Sequence, residues 1–124
     1  MTVIRSVKPG DTLAERVIIE TTAAPTPDPT ASDLGLFLNG ADFIHVYTDG
    51  LASGAITAAT VTPWYFSDVA GRWYEGDPLN FTVTDQFGLC VIRGEDRVFF
   101  VVDSITGAGT LKIYAGYNYE GDTA

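Results

Sequence analysis

Few side chains in this sequence could carry out chemistry, and their spacing matches no common catalytic centre. His45 is the only histidine, and it lies inside an apolar, strand-like run. Hydrolytic triads need a general base, usually histidine, but no Gly-x-Ser-x-Gly elbow and no zinc-type Cys/His spacing accompanies it. Cys90 is the only cysteine and lies between Leu89 and Val91, which predicts a buried small hydrophobic residue. The sequence therefore predicts a protein that is not an enzyme and holds no cofactor.

The aspartates are the second group with chemical potential. Carboxylates on turns can converge on calcium, which takes about six to eight oxygen ligands. The sequence has no Asp-x-Asp-x-Asp-Gly loop, however, and hydrogen bonds from the side chain to the backbone already explain aspartate at a turn. The pattern favours structural turns, with a calcium site as the alternative. The aspartates at predicted turns are Asp11, Asp49, Asp68, Asp77, Asp85, Asp96 and Asp103.

An aromatic cluster at residues 64–66 and 73–74 could bind a ligand by stacking. Alternation along a strand places Trp64 and Phe66 on one face and Tyr65 on the other. The favoured interpretation is that Trp64, Phe66 and Trp73 pack in the core. Sugar stacking on an exposed Trp or Tyr, and a contact between subunits, are the alternatives.

The elements that must position these residues are strands. Between residues 37 and 119, short apolar, β-branched and aromatic runs each end at a turn bearing Asp or Gly, and no stretch has helical periodicity. Turn signals at this spacing predict an all-β protein built as an antiparallel β-sandwich or barrel. Strands are predicted at residues 43–47, 55–66, 79–84, 89–92, 97–102 and 111–117.

Several turns in this region are predicted in detail. Asp68 and Gly71 occupy the positions that a type I turn prefers. That turn would set two cross-strand aromatic pairs, Phe66 with Trp73 and Tyr65 with Tyr74. Pro63, which lacks a backbone N–H, predicts an edge position or a bulge. A second Asp-x-x-Gly turn is predicted at residues 85–88. The run 97–102 is apolar enough for burial on both faces, and residues 103–109, with two glycines, predict a loop.

The N-terminal region has a different composition. Two possible strands, residues 3–7 and 17–20, flank a turn-prone segment at 8–11. Three prolines at alternate positions from 25 to 29 remove backbone donors, so residues 21–32 predict an extended connector. This segment is either a surface loop of the same domain or part of an arm that reaches a neighbouring subunit. We predict an N-terminal arm with its connector at 1–32 and a β-sandwich domain at 33–124.

Composition limits the partners. A chain of 124 residues with 46% hydrophobic and 19% charged residues suits one globular domain. The net charge is −9, and the seven Lys and Arg residues are scattered, whereas phosphate binding draws on clustered cations. We therefore expect neither a nucleic acid nor a membrane as partner, since no apolar run approaches the ~20 residues of a membrane helix. The N-terminus has no signal-peptide pattern, and a single cysteine is compatible with cytosolic synthesis.

Residues 62–76 resemble a hairpin that recurs in small β-sandwich proteins of tailed-bacteriophage virions. The segments are Thr-Pro-Trp-Tyr-Phe at 62–66, Asp-Val-Ala-Gly at 68–71 and Arg-Trp-Tyr-Glu-Gly at 72–76. The Thr/Ala/Gly-rich run at 54–62 and the low lysine content also match this group. It includes capsid decoration (cement) proteins, head fibres and tail accessory proteins. The resemblance covers roughly residues 43–119.

The resemblance implies a jelly-roll-like sandwich, often a homotrimer, bound at symmetric positions on a shell. We predict a capsid decoration protein that is made in the host cytoplasm and located on the capsid surface of the virion. It would bind the major capsid protein and stabilise contacts between its subunits. The alternative is a carbohydrate- or receptor-binding module of a phage tail or head fibre. The predicted interface residues are Val3, Ile4, Arg5, Arg16, Trp64, Tyr65, Arg72, Trp73 and Tyr74.

Overall fold

Period-two alternation of apolar and polar residues produces strands throughout the described part of the chain. The computed structural model describes residues 3–4, 16–29, 35–38, 41, 43–51, 56–92 and 97–118. The described strands are β1 (Val3–Ile4), β2 (Arg16–Thr21), β3 (Leu36–Phe37), β4 (Phe43–Asp49), β5 (Ile56–Ser67), β6 (Arg72–Glu75), β7 (Leu79–Thr82), β8 (Phe87–Val91), β9 (Arg97–Gly107) and β10 (Leu111–Asn118). Within these residues no helix is long and apolar enough to cross a membrane.

The strands form two antiparallel sheets, which confirms the all-β prediction and is consistent with a β-sandwich. The first sheet has the order β1-β2-β10-β4-β8. The second has the order β3-β9-β5-β6, and β7 also pairs with β5. Because β9 pairs with β5 along one side, β6 and β7 share the other side in succession.

The core lies between the two sheets. Ile44 and Val46 of β4 and Ile113 of β10 are fully buried, as are Val61 of β5 and Val98 of β9. The strands predicted at residues 43–47 and 111–117 are therefore confirmed, and residues 43–47 and 111–115 alternate between buried and half-buried positions. Residues 97–102 are buried at every position, as expected of the most apolar run.

Pro63 does not lie on an edge strand, so that alternative of its prediction is wrong. It lies in β5, which has neighbours on both sides. Its missing N–H costs no ladder bond, because the partner on one side changes from β7 to β6 at this residue. The Pro63 carbonyl accepts a hydrogen bond of 2.7 Å from the Gly76 N–H in the link between those strands. The β5–β9 register also shifts between Thr60 and Val61, so a nearby irregularity is present.

The structure differs from the prediction at two segments that were expected to be turns or loops. The turn expected at residues 85–88 falls at Val83–Thr84, closed by reciprocal backbone bonds between Thr82 and Asp85 of 3.0 and 3.2 Å. Phe87 already belongs to β8. The loop expected at residues 103–109 is mostly strand, because β9 continues to Gly107 alongside the twelve-residue β5. Tertiary pairing here overrides the weak strand propensity of a polar, glycine-bearing segment.

The described part of the N-terminal region packs onto the sandwich. β2 lies between β1 and β10, and its Ile18 and Ile19 belong to the core. In the connector, the Thr26 N–H donates to the Val102 carbonyl and the Val102 N–H donates to Thr26 Oγ1, both at 2.9 Å. These bonds hold residue 26 beside β9. The turn predicted at residues 8–11 lies outside the described residues, and the division at 32/33 stays a prediction.

Candidate docking surfaces

The β5–β6 hairpin has the register that its sequence predicts. Phe66 pairs with Trp73 and Tyr65 with Tyr74. Gly71 closes the four-residue loop with φ 69°, a conformation that glycine adopts without strain. Its N–H donates to the Ser67 carbonyl at 2.8 Å. The loop lies beyond Phe66–Arg97, the last residue pair between β5 and β9.

A buried arginine fixes the base of this hairpin. Arg97 is only 6% exposed, and its guanidinium carbon lies 4.0 Å from the ring centre of Phe66 and 5.0 Å from that of Phe37. An Arg97 nitrogen also lies 3.6 Å from a carboxylate oxygen of Asp68 in the hairpin loop. A desolvated cation–π contact contributes about 2 kcal/mol or more. We call Arg97, Phe37, Phe66, Trp73 and Phe99 the Arg97 cluster.

Edge-to-face rings complete the Arg97 cluster on the outer face of the second sheet. The ring centres of Phe66 and Trp73 are 5.3 Å apart, and those of Trp73 and Phe99 are 6.1 Å apart. Phe66 is buried, but on this outer face and not in the core between the sheets, and Trp64 and Trp73 are half-buried. These aromatic residues therefore make the hairpin rigid.

Val69, Arg72 and Tyr74 are among the hairpin residues that face solvent. Val69, in the loop, is fully exposed at 101% of its reference area, and Tyr74 is 43% exposed. Arg72 is exposed as well; its Nε donates to the Tyr74 hydroxyl at 3.0 Å, and its guanidinium lies 4.8 Å from the Tyr74 ring centre. We call Val69, Arg72 and Tyr74 the hairpin tip.

The predicted interface residues thus separate into groups. Arg72 and Tyr74 are exposed, Trp64 and Trp73 are half-buried, and Tyr65 packs against the core between the sheets. Arg5 lies outside the described residues, and for Val3, Ile4 and Arg16 the structure describes only the strand pairing.

A second exposed surface lies on the outer side of the first sheet. Phe87, Leu89 and Val91 of β8 are 58%, 47% and 48% exposed. They pair with Tyr47, His45 and Phe43 of β4. Four of these residues line a shallow depression of about 380 Å³: Phe43, His45, Phe87 and Leu89. We call the six residues the β8 face.

Near-parallel rings cross the β8 face. The ring centre of His45 lies 5.8 Å from that of Tyr47 and 6.5 Å from that of Phe87, with interplanar angles of 15° and 13°. Tyr47 continues the row to Tyr114, 5.5 Å away. His45 is thus a half-buried member of an aromatic row. The sequence analysis did not predict this surface, although large apolar residues at alternate positions 87, 89 and 91 indicate one apolar strand face.

A groove between the sheets borders the inner side and the open edge of β8, since Leu89 and Val91 line it together with Cys90. The groove measures about 330 Å³, and Tyr65, Asp77, Leu79 and Cys90 are among its lining residues. Cys90 is only 4% exposed, which confirms the prediction of a buried hydrophobic residue. Burial raises the pKa of the Cys90 thiol to about 11, and a hydrogen bond with Tyr65 opposes the shift. The thiol is therefore neutral at physiological pH, which makes it a poor nucleophile.

Two of the aspartates predicted at turns accept side-chain hydrogen bonds, one from the adjacent backbone and one from a neighbouring strand. Asp49 accepts the Gly50 N–H at 2.9 Å, and Asp103, which lies in β9, accepts the Thr62 hydroxyl. Within the part of the chain that the structure describes, no three His, Cys, Asp or Glu side chains are grouped to hold a metal ion. Asp11 and Asp96 fall outside it.

Comparisons with family models, curated proteins and solved structures found no match to this chain.

Proposed function

We propose that this protein is a non-enzymatic structural protein of a tailed-bacteriophage virion, most specifically a capsid decoration protein. It binds the outside of the shell and stabilises contacts between major capsid protein subunits. The observation that carries the proposal is the hairpin tip, a rigid and exposed contact on a β-sandwich. The jelly-roll-like connectivity and the homotrimer, which the resemblance implies, and the N-terminal arm, which the proline-rich connector suggests, stay predictions.

The residue types at the hairpin tip suit a protein partner. Tyr and Arg are enriched among the residues that dominate binding energy at interfaces. Arg72 and Tyr74 hold each other through a hydrogen bond and a cation–π contact, so binding costs little side-chain ordering. Arg72 also offers a cation on a chain of net charge −9. An anionic or aromatic site on a shell subunit would accept it.

Rigidity below the hairpin tip supports the same use. The Asp68–Arg97 ion pair and the aromatic contacts of the Arg97 cluster tie the hairpin to β9. A tip held in one conformation presents its side chains together. Several copies bound on a repeating shell would gain avidity of about 10²–10⁴ without stronger individual contacts.

Co-sedimentation with empty shells of the virus that encodes the chain tests this proposal. Arg72→Glu and Tyr74→Ala should each weaken shell binding at least about tenfold, because truncating a binding hot spot costs about 2 kcal/mol or more. Val83→Asp is the matched control, since Val83 is an exposed turn residue 46% accessible to solvent. Shells that fail to bind the wild type, or that bind all variants equally, would contradict the proposal.

The N-terminal arm needs a separate deletion. Removing residues 1–15 spares β2, whose Ile18 and Ile19 are core residues. Unchanged shell binding by this variant would remove the arm from the interface.

Carbohydrate binding is the second candidate function. The aromatic row on the β8 face and the groove beside Tyr65 and Asp77 are the observations that favour it. A glycan array tests this function directly. Binding that is lost in Phe87→Ala while shell binding persists would support it, and an array without hits would exclude the glycans sampled.

A further inference from the structure

We propose that two copies of this protein associate through β8, which pairs antiparallel with its copy around a two-fold axis at Leu89. The five-stranded first sheet then continues into that of the second copy. This contact uses a surface other than the hairpin tip, so it does not rest on the proposed function.

The free edge of β8 is the first observation. β8 ends the first sheet, and among the described residues it pairs only with β4. The Thr48 N–H donates to the Gln86 carbonyl at 3.0 Å, and peptide groups alternate in direction along an antiparallel ladder. The N–H and C=O groups of Gly88 and Cys90 therefore point towards β4. Those of Phe87, Leu89 and Val91 point towards the open edge.

The exposed side chains belong to the same three residues. Phe87, Leu89 and Val91 carry the outward apolar groups, and their edge-facing backbone groups pair with no other strand that the structure describes. Natural sheets protect such edges with lysine, proline, inward charges or bulges. β8, with the sequence FGLCV, has no charged residue and no proline. An unprotected apolar edge is a surface for strand addition.

The sequence of β8 is complementary to itself. In an antiparallel pair centred on Leu89, this residue opposes its own copy, and Phe87 opposes the second copy's Val91. In every pair on the outward side, an apolar side chain therefore lies opposite another apolar side chain. On the inner side, Gly88 opposes the second copy's Cys90, so small residues meet small residues. A two-fold contact requires this kind of self-complementarity.

Charge selects a second copy as the occupant. The net charge of −9 makes two copies repel each other in general. Residues 43–47 and 87–91 contain no Asp, Glu, Lys or Arg, so neither strand brings a carboxylate of its own into the contact. A basic partner segment would find no carboxylate on these strands to bind.

Light scattering after size exclusion tests the association. The wild type at about 100 μM should have an average mass clearly above that of one copy, since about half of the chains are paired at that concentration even if the Kd is ~10⁻⁴ M. Leu89→Lys should have the mass of one copy, because two ammonium groups would lie directly opposite each other across the axis, and like charges in that position destabilise an antiparallel pair. Val83→Lys, on a turn residue of similar exposure, should keep the mass of the wild type. Circular dichroism and melting establish that each variant folds, and Val91→Lys replaces Leu89→Lys if the latter does not.

Cross-linking locates the axis. Hydrogen-bonded antiparallel residues have Cα atoms about 5.5 Å apart, within the range of a disulfide. Leu89→Cys should therefore form a covalent dimer on mild oxidation, whereas Val69→Cys should not. The wild type is the blank, since its one thiol is buried.

Each other outcome overturns the pairing. A monomeric wild type rejects it, as does a dimer that survives both lysine substitutions. A trimer unaffected by Leu89→Lys would place the implied homotrimer contact elsewhere on the molecule. None of these results changes the prediction for Arg72→Glu, because that test reads shell binding through the hairpin tip.

Discussion

The outer faces of the two sheets carry similar aromatic residues and expose them to opposite extents. On the second sheet Phe66 is 5% exposed, whereas on the first sheet Phe87 is 58% exposed. Phe66 is covered by Trp73 from the returning strand of its own hairpin and by the Arg97 guanidinium. Phe87 lies on the last strand of its sheet and has no neighbour beyond it among the described residues. Strand order, and not residue type, decides which aromatic face is free to bind a partner.

The difference also separates two roles of aromatic residues. In the Arg97 cluster, rings fill space and hold a hairpin at a fixed angle. On the β8 face, rings stand beside one another at centroid distances of 5.5–6.5 Å, with their outward edges accessible. The first arrangement stabilises the monomer, and the second gains most of its stabilisation when a partner removes it from water.

The sharpest test of this contrast replaces one phenylalanine on each face. Phe66→Ala should lower the free energy of unfolding by about 3–5 kcal/mol, because it leaves a cavity beneath Trp73. Phe87→Ala should lower it by less than ~1 kcal/mol in the monomer, since its side chain is already solvated. Urea denaturation at a concentration where both variants are monomeric measures the two values. Equal losses would mean that the two faces do not differ in role.

Arg97 tests whether packing or charge holds the hairpin. Arg97→Ala should cost about 2–4 kcal/mol, because stacking on Phe66 and Phe37 is lost with the ion pair. Asp68→Asn should cost less than ~1 kcal/mol, because the Asp68 side chain is 65% exposed and water replaces its partner. A loss for Asp68→Asn as large as that for Arg97→Ala would assign the stabilisation to the ion pair instead.

The pH dependence of stability tests whether the Cys90 thiol is buried on the inner side of β8. The thiol has an ordinary pKa of 9.0 and a folded pKa of about 11, so between these values the unfolded state loses its proton first. Stability is therefore complete below about pH 9 and falls as the pH rises towards 11, by about 2–3 kcal/mol. The difference between the wild type and Cys90→Ala in alkaline urea melts isolates this contribution. Parallel pH profiles for the two proteins would show that the thiol is solvated in the folded state.

Thr26 tests how firmly the connector is held at β9. Thr26→Val removes the hydroxyl that accepts the buried Val102 N–H, which should cost about 1–3 kcal/mol. Thr26→Ser keeps the acceptor and should lie within ~1 kcal/mol of the wild type. If the valine variant is as stable as the serine variant, the connector is dispensable for the sandwich.

The parts of the fold that depend on local sequence are the parts that sequence predicts well. Asp68 and Gly71 with their flanking aromatic residues are sufficient to give the register of the β5–β6 hairpin. The inward and outward positions of β4 and β10 follow from alternation alone. Burial of the lone cysteine follows from its apolar neighbours.

Features that depend on strand order could not be predicted. Arg97 looks like a strand-end surface charge until β3 and the hairpin loop are placed on either side of it. Pro63 implies an edge unless one knows that β6 and β7 succeed each other along β5. The exposure of Phe87, Leu89 and Val91 requires knowing that β8 is the last strand. That position follows from the pairing of β4 with β8 and β10, which are far from β4 in the sequence.

The change of partner at Pro63 makes the β5–β6 hairpin an exchangeable module. Ladder bonds between β5 and β7 involve Ala58–Val61, whereas those between β5 and β6 begin at Trp64. A foreign loop grafted between Ser67 and Arg72 would therefore leave the rest of both ladders in register. Under the proposed function, exchanging this short insert would change the shell that the protein binds while the scaffold stays constant.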